Sequence, residues 1–231
     1  MPELLVGGLA PLTSTDYPGC LAAVIFCQGC PWQCGYCQNP HLIPPRADNL
    51  LPWHDIAAFL KRRRGLLDAV VFSGGEPTLQ SALCDAIRET RDLGFKIGLH
   101  TAAPYPERLQ TLLPWLDWVG LDIKATDDRY DHVSGVPGSG KRAREGLSLL
   151  LDSGVDYEVR TTVHPRFHNV ADVIRLAEEL RGWGVENFAL QEFRPQGCAD
   201  AALRSSARPV LDGETAGRIA PLFKKFTLRQ A

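Results

Sequence analysis

Leu21-Ala22-Ala23-Val24-Ile25-Phe26 runs directly into Cys27-Gln28-Gly29-Cys30-Pro31-Trp32-Gln33-Cys34-Gly35-Tyr36-Cys37, and the fold is decided at that junction. An apolar run without polar alternation suits a strand covered on both faces, as parallel strands between helices are. Five more runs follow: Ala69 to Phe72, Ile97 to Thr101, Trp118 to Ile123, Tyr157 to Val163 and Phe188 to Leu190. Between them apolar residues recur at helical spacing. Leu79, Leu83, Ala86 and Ile87 form one stripe, Ala143, Leu147, Leu150 and Leu151 a second, and Val170, Val173, Ile174, Ala177 and Leu180 a third behind an Asn169 cap. Trp53 to Arg64, Pro106 to Leu116 and a closing Asp212 to Phe226 complete the expected helices.

Six strand-helix alternations predict an α/β fold of parallel strands joined by right-handed crossovers: a barrel, a partial barrel or an open doubly wound sheet. In each, ligands gather at the carboxyl ends of the strands. There the sequence places the cysteines after the first strand and Ser73-Gly74-Gly75-Glu76-Pro77 after the second. His100-Thr101 stands at the third, Asp122 and Lys124 at the fourth, Arg160 in the fifth and Gln191 to Arg194 after the sixth. No repeat, linker or low-complexity tract divides the chain, so 1–231 reads as one domain. Residues 1–19 form an N-terminal extension, with Glu3 to Tyr17 a strand or loop against the rim. Residues 20–195 form the barrel and 196–231 a helical closure. His41 to Pro52 reads as a Pro-rich loop and Gly135 to Gly140 as a flexible one.

The 231 residues are 45% hydrophobic and 23% charged, enough for a large core and too apolar for disorder. With 25 Lys+Arg against 27 Asp+Glu, the net charge of -2 gives no general attraction to nucleic acid or anionic membrane. No apolar run approaches the roughly 20 residues of a membrane span. Met1-Pro2-Glu3 lacks the positive charge that opens a secretion signal, so the expected location is the cytoplasm. Five of the seven cysteines lie between Cys20 and Cys37; an odd count without an export signal points to metal or redox chemistry rather than disulfides.

Cys30, Cys34 and Cys37 have C-x3-C-x2-C spacing on a loop, which can hold three irons of a 4Fe-4S cluster and leave the fourth open. Adding Cys27 gives C-x2-C-x3-C-x2-C, a closed zinc or fully ligated cluster site of a non-catalytic binding module. The three-cysteine set is favoured, because Cys27 ends a buried strand and points differently from the loop thiols. Cys20, Cys84 and Cys198 read as packing residues. Gly74 and Gly75 let the backbone come close to a ligand, and Pro77 fixes how the chain leaves.

The C-x3-C-x2-C loop, with Tyr36 just before its last cysteine and Gly74-Gly75-Glu76-Pro77 to follow, resembles the radical S-adenosylmethionine superfamily. Asp16-Tyr17-Pro18-Gly19, Phe26-Cys27-Gln28-Gly29-Cys30-Pro31, Cys37-Gln38-Asn39-Pro40 and Leu121-Asp122-Ile123-Lys124 narrow the resemblance to activating enzymes of glycyl radical enzymes. It is closest to those of anaerobic ribonucleoside-triphosphate reductase. The resemblance implies a partial (β/α)6 barrel of parallel strands. Cys30, Cys34 and Cys37 then hold the cluster, and the amino and carboxylate groups of S-adenosylmethionine chelate the open iron. Gly74, Gly75 and Glu76 bind the methionine amino group, Tyr36 approaches the adenine, and Thr101 stands with the cofactor-binding residues. Asp122 and Lys124 support the methionine end, Arg160 lies near its carboxylate, and Arg194 falls roughly where a His touches the nucleoside.

The implied activity is reductive cleavage of S-adenosylmethionine followed by hydrogen abstraction from a glycine of a partner enzyme. The electron comes from a reduced flavodoxin or ferredoxin type donor. A small-molecule enzyme such as 7-carboxy-7-deazaguanine synthase shares both leading motifs. Departures from the pattern are Gln38 for a His, Ala102-Ala103 for Asn-Gly, and His100 where some activases place an Asp that helps bind a monovalent cation. With two cysteines beyond the N-terminal region, a second cluster domain is not expected. Arg62-Arg63-Arg64 reads as a solvated helix end, His164 and His168 as loop residues without an assigned role, and Trp32 as a cluster-loop residue facing a partner.

Overall fold

The computed structural model describes residues 3–230. Its strands are β1 (Val6–Thr13), β2 (Ala22–Cys27), β3 (Ala69–Gly74), β4 (Lys96–Thr101), β5 (Trp118–Asp122), β6 (Asp156–Val163), β7 (Asn187–Glu192) and β8 (Lys225–Arg229). The helices are α1 (Trp53–Arg63), α2 (Leu83–Asp92), α3 (Pro106–Leu112), α4 (Asp127–Ser134), α5 (Ser139–Ser153), α6 (Val170–Gly182), α7 (Ala201–Ser205) and α8 (Gly213–Ile219). One sheet holds all the strands in chain order. β2 to β8 run parallel, β1 pairs antiparallel with β2 at the edge, and the sheet curves into a partial barrel that does not close.

Three local expectations are corrected, and the N-terminal one is resolved in favour of a strand. The closing segment is not one helix: Asp212 caps α8 by accepting from the Thr215 N–H, and the chain then turns into β8, a seventh parallel strand. In Lys225-Phe226-Thr227-Leu228-Arg229, apolar Phe226 and Leu228 alternate with polar residues, a strand period that reading the whole segment as a helix conceals. The N-terminal extension contributes β1 to the sheet, paired with β2 between Val6↔Cys27 and Thr13↔Ala22 with the register shifting after Val6 and after Ala10. Residues 135–140 are a tight link rather than a flexible loop. Gly135 and Gly138 take left-handed φ of 72° and 74°, and the Asp131 carboxylate accepts from the Gly138 and Ser139 N–H groups. The helix after Pro77 begins only at Leu83, behind a 3₁₀ turn over Pro77–Leu79.

Alternate strand residues point to opposite faces of the sheet. On the outer face, Ala23, Ile25, Val70, Phe72, Ile97, Leu99, Val119 and Leu121 pack against helix residues such as Ile56, Leu60, Ile87, Leu109 and Leu147. At about 1.5–3 kcal/mol per buried Leu, Ile or Phe, this large layer carries most of the hydrophobic stabilisation and leaves the inner face free to hold polar groups. The inner face changes character along each strand. Its amino end is a small cluster of Ala22, Val24, Ala69, Val71 and Trp118, filled by Tyr17, whose ring lies 5.5 Å from Trp118. Its carboxyl end presents Ser73, His100, Asp122, Arg160, Thr162 and Gln191. The barrel is therefore plugged at one end and polar at the other.

Candidate active site

Cys27 stands level with Gly74 across β2 and β3, so the cysteine loop leaves the sheet beside the glycine turn. The backbones interlock there: Gly75 N–H donates to the Cys27 carbonyl at 2.9 Å and Glu76 N–H to that of Gly29 at 2.8 Å. The loop is also held from outside, by Gly29 N–H on Leu42, Cys30 N–H on Ile43 and Gln33 N–H on Ser134. A cavity of about 200 Å³ results, with Cys30, Cys34 and Cys37 on one wall and Gly74, Gly75 and Glu76 on the next. Tyr36, Thr101, Asp122, Lys124 and Arg160 complete it. Cys27 is fully buried and shares the outer face of β2 with Ala23 and Ile25, in the helix-side core.

Burial pushes the Cys30 thiol up to about 12 and raises Cys34 and Cys37 as well, with Lys124 pulling the other way at each. Metal binding must displace these protons. Among the described residues no three His, Cys, Asp or Glu side chains converge closely enough to hold one metal ion. Three thiols set apart along one cavity wall suit a cluster, which takes each thiolate on a different iron.

Glu76 is buried and its carboxylate is held by four donors. Oε1 accepts from the Thr78 N–H, the Thr78 hydroxyl and the Thr101 hydroxyl at 3.0, 2.6 and 2.7 Å, and Oε2 accepts from the Ala102 N–H at 3.0 Å. Burial raises its pKa while these donors favour the charge. The side chain thus ties the glycine turn to the end of β4. Thr101 is buried and acts in this tie as a donor.

On the opposite wall, Arg160 Nε donates to Asp122 Oδ1 at 3.0 Å and Lys124 Nζ lies 3.8 Å from Oδ2. Burial opposes the Asp122 charge, but Arg160 and Lys124 outweigh it and hold the carboxyl below its usual range. The Lys124 ammonium also sits 5.9 Å from the ring centroids of both Trp32 and Tyr36. Trp32 is therefore not presented to a partner: it is 3% exposed and packs edge-on to Tyr130. One guanidinium and one ammonium against one carboxylate leave this wall net positive, a charge that suits an anionic ligand group. Lys124→Ala should weaken binding of S-adenosylmethionine about tenfold or more, since a charged hydrogen bond contributes roughly 1.5–3 kcal/mol. Iron content should not change; titration calorimetry with an iron assay checks both, and lost iron would assign Lys124 a structural role.

Three histidines are ties rather than ligands. His100 Nε2 lies 2.9 Å from the Asp16 carbonyl, which can only accept, so that nitrogen carries the proton and Nδ1 accepts from Ser73 Oγ at 3.3 Å. His168 joins the Lys124 carbonyl at 2.8 Å and His164 that of Leu203 at 3.0 Å. Burial pushes the His100 pKa down to about 3 and lowers that of His168. The unfolded chain takes up these protons near pH 6.5, while the folded one does not. Their stabilisation is thus complete above pH 6.5 and declines as pH falls toward the folded values, by up to about 1.4 kcal/mol per pH unit for each histidine. Thermal melts of the metal-free protein between pH 7.5 and 5 should show this decline, and His100→Gln should flatten it. An unchanged slope in the variant would count against the assignment.

A second opening of about 640 Å³ adjoins the first, sharing Gln38, His100, Asp122, Arg160 and Thr162 with it. Arg194 lies here, exposed, and not with the cysteines. The wall includes Gln191, expected at the rim, together with Glu158 and Arg229, which the sequence does not single out. Glu158 is 2% exposed, with Arg229 at 2.8 Å, and Arg229 also donates to Gln191 Oε1 at 2.9 Å. Inward alternation in β6 carries the signal for Glu158; Arg229 has none once its segment is read as helix.

A family profile for the radical SAM superfamily matches residues 24–180, from the first parallel strand into the helix that follows the fifth. The chain belongs to the radical SAM superfamily. This radical SAM protein is 27% identical over 227 residues to a Methanocaldococcus jannaschii protein provisionally named a glycyl-radical enzyme activating enzyme, covering 90% of this chain and 87% of that one. It is 31% identical over 166 residues to the pyruvate formate-lyase-activating enzyme of Clostridium pasteurianum, covering 69% of this chain and 68% of the relative. Among solved structures, SuiB of Streptococcus suis bound to its precursor peptide SuiA aligns with a TM-score of 0.67 at 16% identity, a likeness of fold. The alignment covers 89% of this chain and 48% of SuiB, so this chain spans about half its length.

Proposed function

We propose that this radical SAM protein is an activating enzyme that removes a hydrogen atom from a glycine of a partner glycyl radical enzyme, with anaerobic ribonucleotide reductase as the partner. One observation carries the reading: three thiols of a single loop, a glycine turn and a net-positive wall enclose one cavity that continues into a larger polar opening. A 4Fe-4S cluster with S-adenosylmethionine, held there, supplies one-electron cleavage of the sulfonium and hydrogen abstraction.

Cys30, Cys34 and Cys37 hold the irons. Gly74 and Gly75 bring backbone against the methionine amino group, and Glu76, tied by Thr78, Thr101 and Ala102, keeps that turn in place. Arg160 and Lys124 face the carboxylate, with Asp122 orienting both, and Tyr36 faces the adenine. The filled amino end of the barrel excludes water from below. The adjoining opening, with Arg194 at its edge, admits a polypeptide loop. A glycine is a sensible target, since its radical is delocalised over both flanking peptides and no Cβ blocks the approach. The relatives matched along most of the chain carry activating-enzyme names, which favours a protein substrate over a small molecule. We place the reaction in the cytoplasm, where reduced carriers are available; among the described residues no helix is long and apolar enough to cross a membrane.

The deciding experiment is electron paramagnetic resonance of anaerobically reconstituted, reduced protein with S-adenosylmethionine and anaerobic ribonucleotide reductase. A glycyl radical signal on the partner, with 5′-deoxyadenosine formed in proportion, is the expected result. A small-molecule product formed without any protein partner would overturn the reading.

A further inference from the structure

The outer side of the cysteine loop carries a basic face. Gln33 and Gly35 are exposed, and Gly35 lies between Cys34 and Cys37 in the chain. The segment after β7 folds back onto this side. Cys198 Sγ donates to the Gly35 carbonyl at 3.7 Å. A Cβ on Gly35 would meet Phe167 at 3.2 Å and Leu203 at 3.5 Å. Arg166 precedes that Phe, Arg204 follows that Leu, and Arg166 and Arg208 line one shallow pocket. All three arginines are exposed, and among the described residues none forms an ion pair. Arg204 Nη1 donates to the Cys198 and Ala199 carbonyls at 2.6 and 2.9 Å, which fixes its guanidinium beside the loop. Asp200 is the carboxylate on the same segment, and its Oδ1 caps α7 by accepting from Ala202 and Leu203 N–H.

We infer that this face docks an acidic one-electron carrier protein of the reduced flavodoxin or ferredoxin type; the inference rests on the function proposed above. Charge selects the partner: three guanidiniums without carboxylate partners attract an acidic surface and speed its encounter. Position selects the role, because a protein seated here lies against the backbone joining two of the three cavity thiols. The lumen side is left to the substrate. The donor's reduced centre loses one electron, the iron–sulfur group gains it, and no bond is made or broken. Arg62 and Arg63, at the end of α1 just before β3, belong to the opposite end of the barrel and provide a charge-matched control.

The test measures anaerobic reduction of the reconstituted protein at low ionic strength by a reduced, acidic flavodoxin and, separately, by dithionite. The double variant Arg166→Glu, Arg208→Glu should slow reduction by flavodoxin about tenfold or more. It should leave reduction by dithionite, iron content and thermal melting unchanged. Added salt should slow the wild type toward the variant. Arg62→Glu, Arg63→Glu should behave as wild type. An unaltered flavodoxin rate in the double variant, an equal loss in the control, or an equal loss with dithionite would each overturn the docking face. A wild type that takes up no iron would instead bring down the reading of the cavity.

Discussion

Protein carrying Cys30→Ala, Cys34→Ala or Cys37→Ala, reconstituted anaerobically, is expected to lose its iron and its cleavage of S-adenosylmethionine, while Cys27→Ala retains both. The loss should exceed about 100-fold, because even removing an outer partner of a metal ligand costs 10–100-fold in affinity. Cys27 is the internal control. It lies in the same short stretch of chain, yet its side chain is buried on the helix side of β2 and does not line the cavity. Its truncation removes a small core group and should cost about 1 kcal/mol of stability. Iron per chain, the visible absorbance of the reconstituted protein and 5′-deoxyadenosine yield report the outcome. Iron lost from Cys27→Ala would mean that the ligand set is wrong and the site closed.

Gly75→Ala should be nearly as damaging, for a steric reason. A Cβ at that position would stand 2.3 Å from the Gly29 carbonyl oxygen and 2.8 Å from that of Leu42, both backbone atoms that no side-chain rotation can move. Relief requires the turn and the cysteine loop to separate, breaking the Glu76 N–H bond to Gly29 on which their alignment depends. Overpacking of this kind costs typically 1–3 kcal/mol. The displaced turn should also lower affinity for S-adenosylmethionine by about tenfold or more. Gly217→Ala supplies the comparison: in α8 a Cβ meets nothing within 4 Å, so this change should be neutral or raise Tm. Calorimetric binding and thermal melting of both variants check the pair, and normal binding by Gly75→Ala would remove the turn from the site.

How far the sequence was legible depends on the range of the signal. β2, β3 and β5 stood out because their apolar runs are covered on both faces, and the Asn169 cap of α6 because a capping box is local. α4 was missed because Asp127-Asp128-Arg129-Tyr130-Asp131-His132-Val133-Ser134 buries only Tyr130, Val133 and Ser134 and shows no apolar stripe. β8 was missed because a single edge strand of this length is outweighed by the helical pattern before it. Cys198 reads as a core residue in the sequence; its thiol donor to the Gly35 carbonyl joins positions far apart in the chain.

From its residues alone this protein determined its alternation of strand and helix, the loop that concentrates its thiols and the glycine turn beside it, because each follows from contiguous patterning. Tertiary packing alone decided which thiols share a cavity, that Glu76 is satisfied by Thr78, Thr101 and Ala102, and that Arg229 reaches Glu158 over the intervening β7. Those outcomes follow from strand register and sheet curvature. Both are set by side chains packing over long sequence separations, where no local pattern reaches.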